Sequence, residues 1–79
     1  MKSYRFREER EGDWAELDRI VRVAENKGVK GLSDEDLTDL PHLYRQAVSS
    51  LSVARNISLD QNVIAYLETL CARAYFFVY

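Results

Sequence analysis

The stretch "DEDLTDLPHL" holds the residues whose types and spacing best suit metal chemistry. Glu35, Asp39 and His42 follow one another at i, i+4 and i+7, which places them on one helix face. A di-metal site in a helical bundle needs a carboxylate–histidine pair twice and two further carboxylates. This chain has one His, so only a second chain could complete such a site. Acidic residues in a first helical turn normally complement the helix dipole. We therefore predict no metal ion and no cofactor, and keep the three residues as the candidates for a metal-binding four-helix dimer.

Cys71 is the only cysteine, so it is the one thiol that could act as a nucleophile. It falls within an apolar helical pattern with no His near it in sequence. A reactive thiol needs an electropositive and partly exposed setting. We predict a buried structural thiol, no catalytic residues and no enzyme. A single cysteine also excludes an intramolecular disulfide and fits a reducing compartment.

Three arginines stand in or beside apolar helical patterns: Arg45, Arg55 and Arg73. They are interpreted either as contacts to phosphate or lipid headgroups or as polar ties between helices, with their stems lying over the core. The whole chain has 11 Lys and Arg against 13 Asp and Glu, for a net charge of −2. A nucleic-acid binder would show a basic excess, so we predict no nucleic-acid partner.

The elements that carry these residues are helices, because no stretch alternates polar and apolar residues long enough to be a strand. The 79 residues suffice for one small domain. Helix breaks are expected near Gly12, at Gly28–Gly31, near Pro41 and at Asn56–Ser58. The predicted segments are a charged N-terminal stretch 1–12 and helices 13–28, 33–57 (kinked or broken at Pro41) and 59–79. The fold class is all-α, a small antiparallel bundle of three main helices, with a short fourth as an open alternative.

Capping residues support these boundaries. A polar N-cap with Glu or Gln three residues later forms a capping box, which Asp13 begins before the first predicted helix and Ser58 before the last. Ser33 is expected to cap the middle helix, whose first turn is acidic. No run of residues reaches the length of a membrane-spanning helix.

Apolar residues repeat at spacings of three and four in each predicted helix, which indicates faces that pack together. The middle and last helices carry similar seams and are joined by a short turn, so an antiparallel hairpin is expected, with the first helix packed on it. The predicted core anchors are Trp14, Leu17, Tyr44, Leu51, Leu67 and Leu70.

The last helix has a second apolar face, formed by Ile64, Cys71, Tyr75 and Val78. A helix that is apolar nearly all round is either central or pressed against another surface. A three-helix domain cannot make it central on every side. We therefore predict that these four residues form an interaction face for a second subunit or for another part of a larger protein, with a homo-oligomer expected.

The order of the motifs resembles the N-terminal region of the stage II sporulation protein M family of integral membrane proteins of bacteria and archaea. The resemblance lies in "DWAELDRIV", "GVKGLSDEDLTDLPHLYRQAVSSLSVAR" and "YLETLCARAYFFVY", over about residues 13–79. The matching positions are Trp14, Leu32, Ser33, Leu43, Tyr44, Arg45, Ala47, Leu51, Ala54, Arg55, Tyr66, Leu67, Ala72, Arg73, Ala74 and Tyr79. The chain departs from the family pattern at Ser50, Glu68 and Tyr75, where Asp, Asn and His are common.

The resemblance implies a cytosolic domain that precedes transmembrane helices, so that the apolar tail "YFFVY" would lead into a membrane portion. It implies a non-enzymatic scaffold or interaction module on the cytoplasmic side of the cell membrane, linked in some members to remodelling of the cell envelope. The expected partners are the protein's own transmembrane portion, a second subunit or another membrane protein. The alternative function is a free-standing soluble homodimeric adaptor whose apolar face receives a partner helix.

Overall fold

The computed structural model describes residues 2–57 and 60–79 and shows an all-α bundle. Helix α1 spans Lys2–Lys27, α2 spans Asp34–Asn56 and α3 spans Gln61–Val78. A 3₁₀ turn, Val29–Gly31, lies between α1 and α2. The predicted all-α class and its three main helices are confirmed.

The predicted helix break at Gly12 is wrong, because α1 runs without interruption from Lys2 to Lys27. From residue 2 onwards, the predicted charged N-terminal stretch is therefore part of α1. Asp13 is an interior residue of α1 rather than its N-cap. The physical reason is packing. Phe6 is buried and its ring centroid lies 6.0 Å from that of Trp14. Burial of an aromatic side chain is worth more than the roughly 1 kcal/mol that an interior glycine costs a helix.

The predicted boundary between α1 and α2 is confirmed at both of its ends. Gly28 ends α1 with φ of 77° and ψ of 172°, a combination that is essentially restricted to glycine. Its N–H still donates to the Ala24 carbonyl at 2.8 Å. Ser33 caps α2, since its Oγ accepts from the Asp36 N–H at 3.1 Å.

Pro41 lies inside α2 and does not divide it, so of the two outcomes predicted at this position, a kink or a break, the break is wrong. Proline removes the hydrogen bond that its N–H would donate to the carbonyl four residues earlier, here that of Leu37. Leu37 is exposed, and water can satisfy its carbonyl group. The flanking residue Leu40 is buried in the core, and this packing holds the helix together across the proline.

The proposed capping residue Ser58 lies outside the described residues. Within the described part of the chain, Asp60 is the N-cap of α3, and its carboxylate accepts from the Asn62 N–H at 2.7 Å. The last helix accordingly begins at Gln61 rather than at residue 59.

Contacts between the helices define an up-down-up bundle. Tyr44 meets Tyr75 and Arg55 meets Glu68, so α2 and α3 are antiparallel, as predicted. Helix α1 packs on both partners. The molecule measures 40 × 18 × 17 Å, and its long dimension matches the ~39 Å length of a 26-residue helix.

The core lies between the three helices and consists mainly of the predicted seams. Five of the six predicted anchors are buried, and the sixth, Tyr44, is half-buried against the core. Leu17 and Leu67 are completely inaccessible to solvent. The buried apolar residues are Phe6, Trp14, Leu17, Ile20, Val21, Ala24, Leu32, Leu40, Ala47, Leu51, Ala54, Val63, Ile64, Leu67, Leu70, Cys71 and Ala74.

Candidate interaction surface

A cluster of aromatic side chains, here called the aromatic end, lies at the C-terminal end of α3 and consists of Tyr75, Phe76 and Tyr79 together with Tyr44 of α2. Tyr75, Phe76 and Tyr79 are 55%, 77% and 80% exposed. An exposed apolar patch of a few hundred Å² is often functional. Among the described residues, this is where the largest apolar side chains face solvent most fully.

The tyrosines of the aromatic end pack on one another. The ring centroid of Tyr79 lies 5.0 Å from that of Tyr75 and 6.0 Å from that of Tyr44, in an edge arrangement with Tyr44. Such pairs contribute about 0.5–1.5 kcal/mol beyond the area that they bury. Burial raises the pKa of the Tyr44 hydroxyl above its ordinary value, so Tyr44 stays a neutral phenol at physiological pH.

Phe76 is held beside this group by its neighbour in the chain. Its ring meets that of Phe77 edge-on at a centroid distance of 5.1 Å, and Phe77 is half-buried against the core. The aromatic end is therefore supported from beneath by core residues and is not a free tail.

The structure corrects the predicted interaction face on the last helix. Ile64 and Cys71 are each only 8% exposed and belong to the core, and Val78 is half-buried against it. Only Tyr75 of these four residues faces solvent. Since α3 contacts both other helices, the bundle itself covers most of a face that the sequence suggested an external partner would cover. Burial also raises the pKa of the Cys71 thiol, as expected of a structural cysteine.

Arg73 fixes α3 against α1 one turn before the aromatic end. Its Nε and Nη2 donate to the two carboxylate oxygens of Glu25 at 3.0 and 2.8 Å, and its Nη1 donates to Asp18 Oδ1 at 2.9 Å. A guanidinium bound in this forked manner constrains orientation as well as distance. The hydrogen bond with Arg73 holds the pKa of Glu25 below its ordinary value. The prediction that Arg73 is a polar tie is thus consistent with its contacts.

The other two predicted arginine ties differ in their contacts. Arg55 Nη2 lies 2.6 Å from Glu68 Oε2 and connects α2 to α3. Arg45 is exposed and forms no ion pair with the described residues. A tie that the sequence did not suggest joins Arg19 on α1 to Asp36 on α2 at 2.8 Å, and the hydrogen bond with Arg19 lowers the pKa of Asp36.

The candidate metal residues stand on the N-terminal part of α2. Glu35 and His42 are exposed, and Asp39 is half-buried. No three His, Cys, Asp or Glu side chains of residues 2–57 and 60–79 converge in a way that could hold a metal ion. The four-helix metal dimer would need ligands from a second chain.

Phe76 and Tyr79 are the residues that sequence reasoning left out of the candidate surface. Phe76 falls outside the i, i+3, i+4 spacing of the second apolar face, whereas Tyr79 continues it four residues after Tyr75 but was not included in the predicted face. The signal that indicated them was compositional, since five apolar residues follow Ala74 without a charge.

Comparison with known families now adds one finding to this geometry. A family described as a domain of unknown function (DUF8413) matches residues 4–79. The chain belongs to this family. The DUF8413 match begins within α1 and includes the whole aromatic end, so the three helices form one family unit. No curated protein and no solved structure matches the chain.

The DUF8413 description carries no activity, ligand or partner, and it does not mention sporulation. The resemblance to the stage II sporulation protein M family therefore stays a prediction. Among the residues that the structure describes, no helix combines the length and the apolar character required to span a bilayer.

Proposed function

We propose that this DUF8413 domain is a non-enzymatic docking module whose aromatic end packs against an apolar helix of the membrane portion that the resemblance implies, on the cytoplasmic side of the membrane. The observation that carries the proposal is the exposure of Tyr75, Phe76 and Tyr79 on a helix end whose orientation is fixed. Helix-on-helix packing through aromatic anchors is a common way for an apolar surface to be recognised.

The size of the aromatic end favours a covalently linked partner over a second copy of the chain. With about 200 Å² for each full aromatic side chain, the exposed fractions of Tyr75, Phe76 and Tyr79 amount to about 400 Å². A stable complex between separate proteins buries about 800 Å² on each partner. A partner in the same polypeptide is present at a high effective concentration, so a smaller contact is sufficient.

Arg73 suits the aromatic end to docking because it ties α3 to α1. Its three hydrogen bonds to α1 restrain the rotation of α3 about its own axis, which favours one orientation of the exposed rings relative to the rest of the bundle. A docking surface on a fixed element loses less conformational entropy when it binds.

The first test is the intact mass of the native gene product in the membrane and soluble fractions of its own cells. We expect a membrane-bound species much heavier than the 9.2 kDa of this chain. A soluble species of about 9.2 kDa would contradict the proposal and leave the homodimeric adaptor as the explanation of the aromatic end.

The second test uses the purified 79-residue chain in sedimentation equilibrium over a wide dilution series. We expect a monomer, because the aromatic end is too small to hold two separate copies together. A dimer that Phe76→Ser dissociates, and that the control Val48→Ser leaves intact, would instead assign the aromatic end to self-association. Val48 is an exposed apolar residue on α2 and lies outside the aromatic end.

A further inference from the structure

A cleft of about 220 Å³ lies between α1 and α2. It is lined by Arg10, Asp13, Trp14, Gln46, Ser49 and Ser50. Two of these residues, Trp14 and Ser50, are buried, each with 3% exposure. The exposed residues Asp13, Gln46 and Ser49 form its rim.

The residues around this cleft carry more hydrogen-bond donors than the described part of the chain satisfies. The indole N–H of Trp14 is buried and has no acceptor among the described residues. Ser50 Oγ accepts from Arg10 Nη1 at 3.3 Å, but none of the hydrogen bonds of the described residues uses the Ser50 hydroxyl as a donor. A buried donor without an acceptor is unfavourable, so the Ser50 hydroxyl can donate to an acceptor that enters the cleft.

Arg10 adds a positive charge that forms no ion pair within residues 2–57 and 60–79. The ion pairs of the described residues use other arginines, and the Arg10 guanidinium instead lies over the Phe6 ring, 4.5 Å from its centroid. Its hydrogen bond to Ser50, at 3.3 Å, is longer than the 2.7–3.2 Å typical of N–H···O hydrogen bonds. A guanidinium has five N–H donors in a planar fork, so most of this capacity is left for another acceptor.

We propose that the cleft is a binding site for a small oxyanion, a carboxylate or a phosphate group, held by Arg10 and by the hydroxyl of Ser50. Carboxylates and phosphates match the fork of a guanidinium in both charge and geometry. Asp13 opposes the anion from the rim. Because Asp13 is exposed, water screens its charge, and it weakens the binding without preventing it.

Trp14 supplies a direct readout, because it is the only tryptophan of the chain and gives a single indole N–H signal in an NMR spectrum. The experiment titrates the folded chain with sodium acetate and, separately, with sodium phosphate, against sodium chloride at the same ionic strength. We expect the indole signal to shift in a saturable manner with at least one oxyanion and not with chloride. Saturation by acetate alone identifies a carboxylate site, and saturation by phosphate alone identifies a phosphate site.

Three variants assign the binding to the cleft. Arg10→Gln should weaken it at least about tenfold, whereas Arg5→Gln, which removes the same charge from an exposed position on the same helix, should leave it unchanged. Asp13→Asn should tighten it by about two- to fivefold, since it removes an exposed like charge.

The proposal is overturned if neither oxyanion shifts the indole signal more than chloride does. It is also overturned if Arg10→Gln and Arg5→Gln weaken the binding equally. Should Arg10→Gln fail to fold, Asp13→Asn decides the question. Tighter binding supports the site, and unchanged affinity refutes it.

Discussion

Replacement of Gly12 by alanine tests whether α1 is one helix or two. In the structure Gly12 is an interior residue of α1, and a Cβ added there would meet no atom within 4 Å. Alanine would therefore fit without strain while it removes the conformational entropy that glycine costs a helix, about 0.5–1 kcal/mol. We expect Gly12→Ala to stabilise the domain by that amount. For a domain of this size, the melting temperature should rise by about 2–8 °C.

Gly28 is the matched control, because the same substitution there should have the opposite sign. A Cβ at Gly28 would also meet no atom within 4 Å, but the residue has φ of 77°. A side chain in this backbone region costs about 1–3 kcal/mol, so Gly28→Ala should lower the melting temperature. The two variants differ in backbone conformation and not in available space.

Thermal and urea unfolding, followed by helical circular dichroism, measure both variants. If Gly12→Ala lowers the stability, α1 is not continuous through residue 12. The packing of Phe6 on Trp14 would then be too weak to offset the helix-breaking tendency of Gly12. If Gly28→Ala raises the stability, the positive φ at the end of α1 is refuted.

Two further predictions concern the core and the main polar tie. Trp14→Ala should cost about 3–5 kcal/mol in the free energy of unfolding because it empties a buried aromatic site, while the exposed control Val48→Ala should change it by about 0.5 kcal/mol or less. If urea unfolding shows an equally small effect for Trp14→Ala and Val48→Ala, the placement of Trp14 in the core is refuted. Arg73 lowers the pKa of Glu25, so the Glu25 carboxylate takes up a proton less readily in the folded state than in the unfolded chain. The Arg73–Glu25 pair therefore stabilises the folded state above the ordinary carboxyl pKa, about 4, and this stabilisation is lost as the pH falls below it. Urea unfolding at a series of pH values should show a smaller loss of stability at acid pH for Arg73→Gln than for the unsubstituted chain, and no such change for Arg45→Gln. Identical pH profiles for the two variants would contradict the stabilising role of the Arg73–Glu25 pair.

Local rules of sequence predicted the parts of the fold that depend on neighbours along the chain. The spacing of apolar residues identified the seams of α2 and α3, because the helical repeat alone decides which side chains share a face. Ser33 and Gly28 marked the boundary between α1 and α2 for equally local reasons, a side-chain acceptor and a positive φ.

Gly12 and Pro41 show where such rules were insufficient. Each weakens a helix locally, and the sequence therefore predicted a break at Gly12 and a kink or break at Pro41. In the folded chain the helices continue through both positions, since Phe6 and Leu40 bury their side chains in the common core. This burial favours a continuous helix at both positions, and it exists only once the three helices have packed.

For the candidate surface, too, the sequence predicted some features and the packing of the helices decided others. By itself, the sequence determined that α3 is apolar on more than one face and that its last turn lacks charge. Only the tertiary structure decided which of these residues face solvent, because α1 and α2 cover Ile64 and Cys71 and leave Phe76 and Tyr79 exposed. It also decided that Arg73 binds Glu25, 48 positions away in the chain, since contacts of this range depend on how helices are placed in space and leave no periodic trace in the sequence.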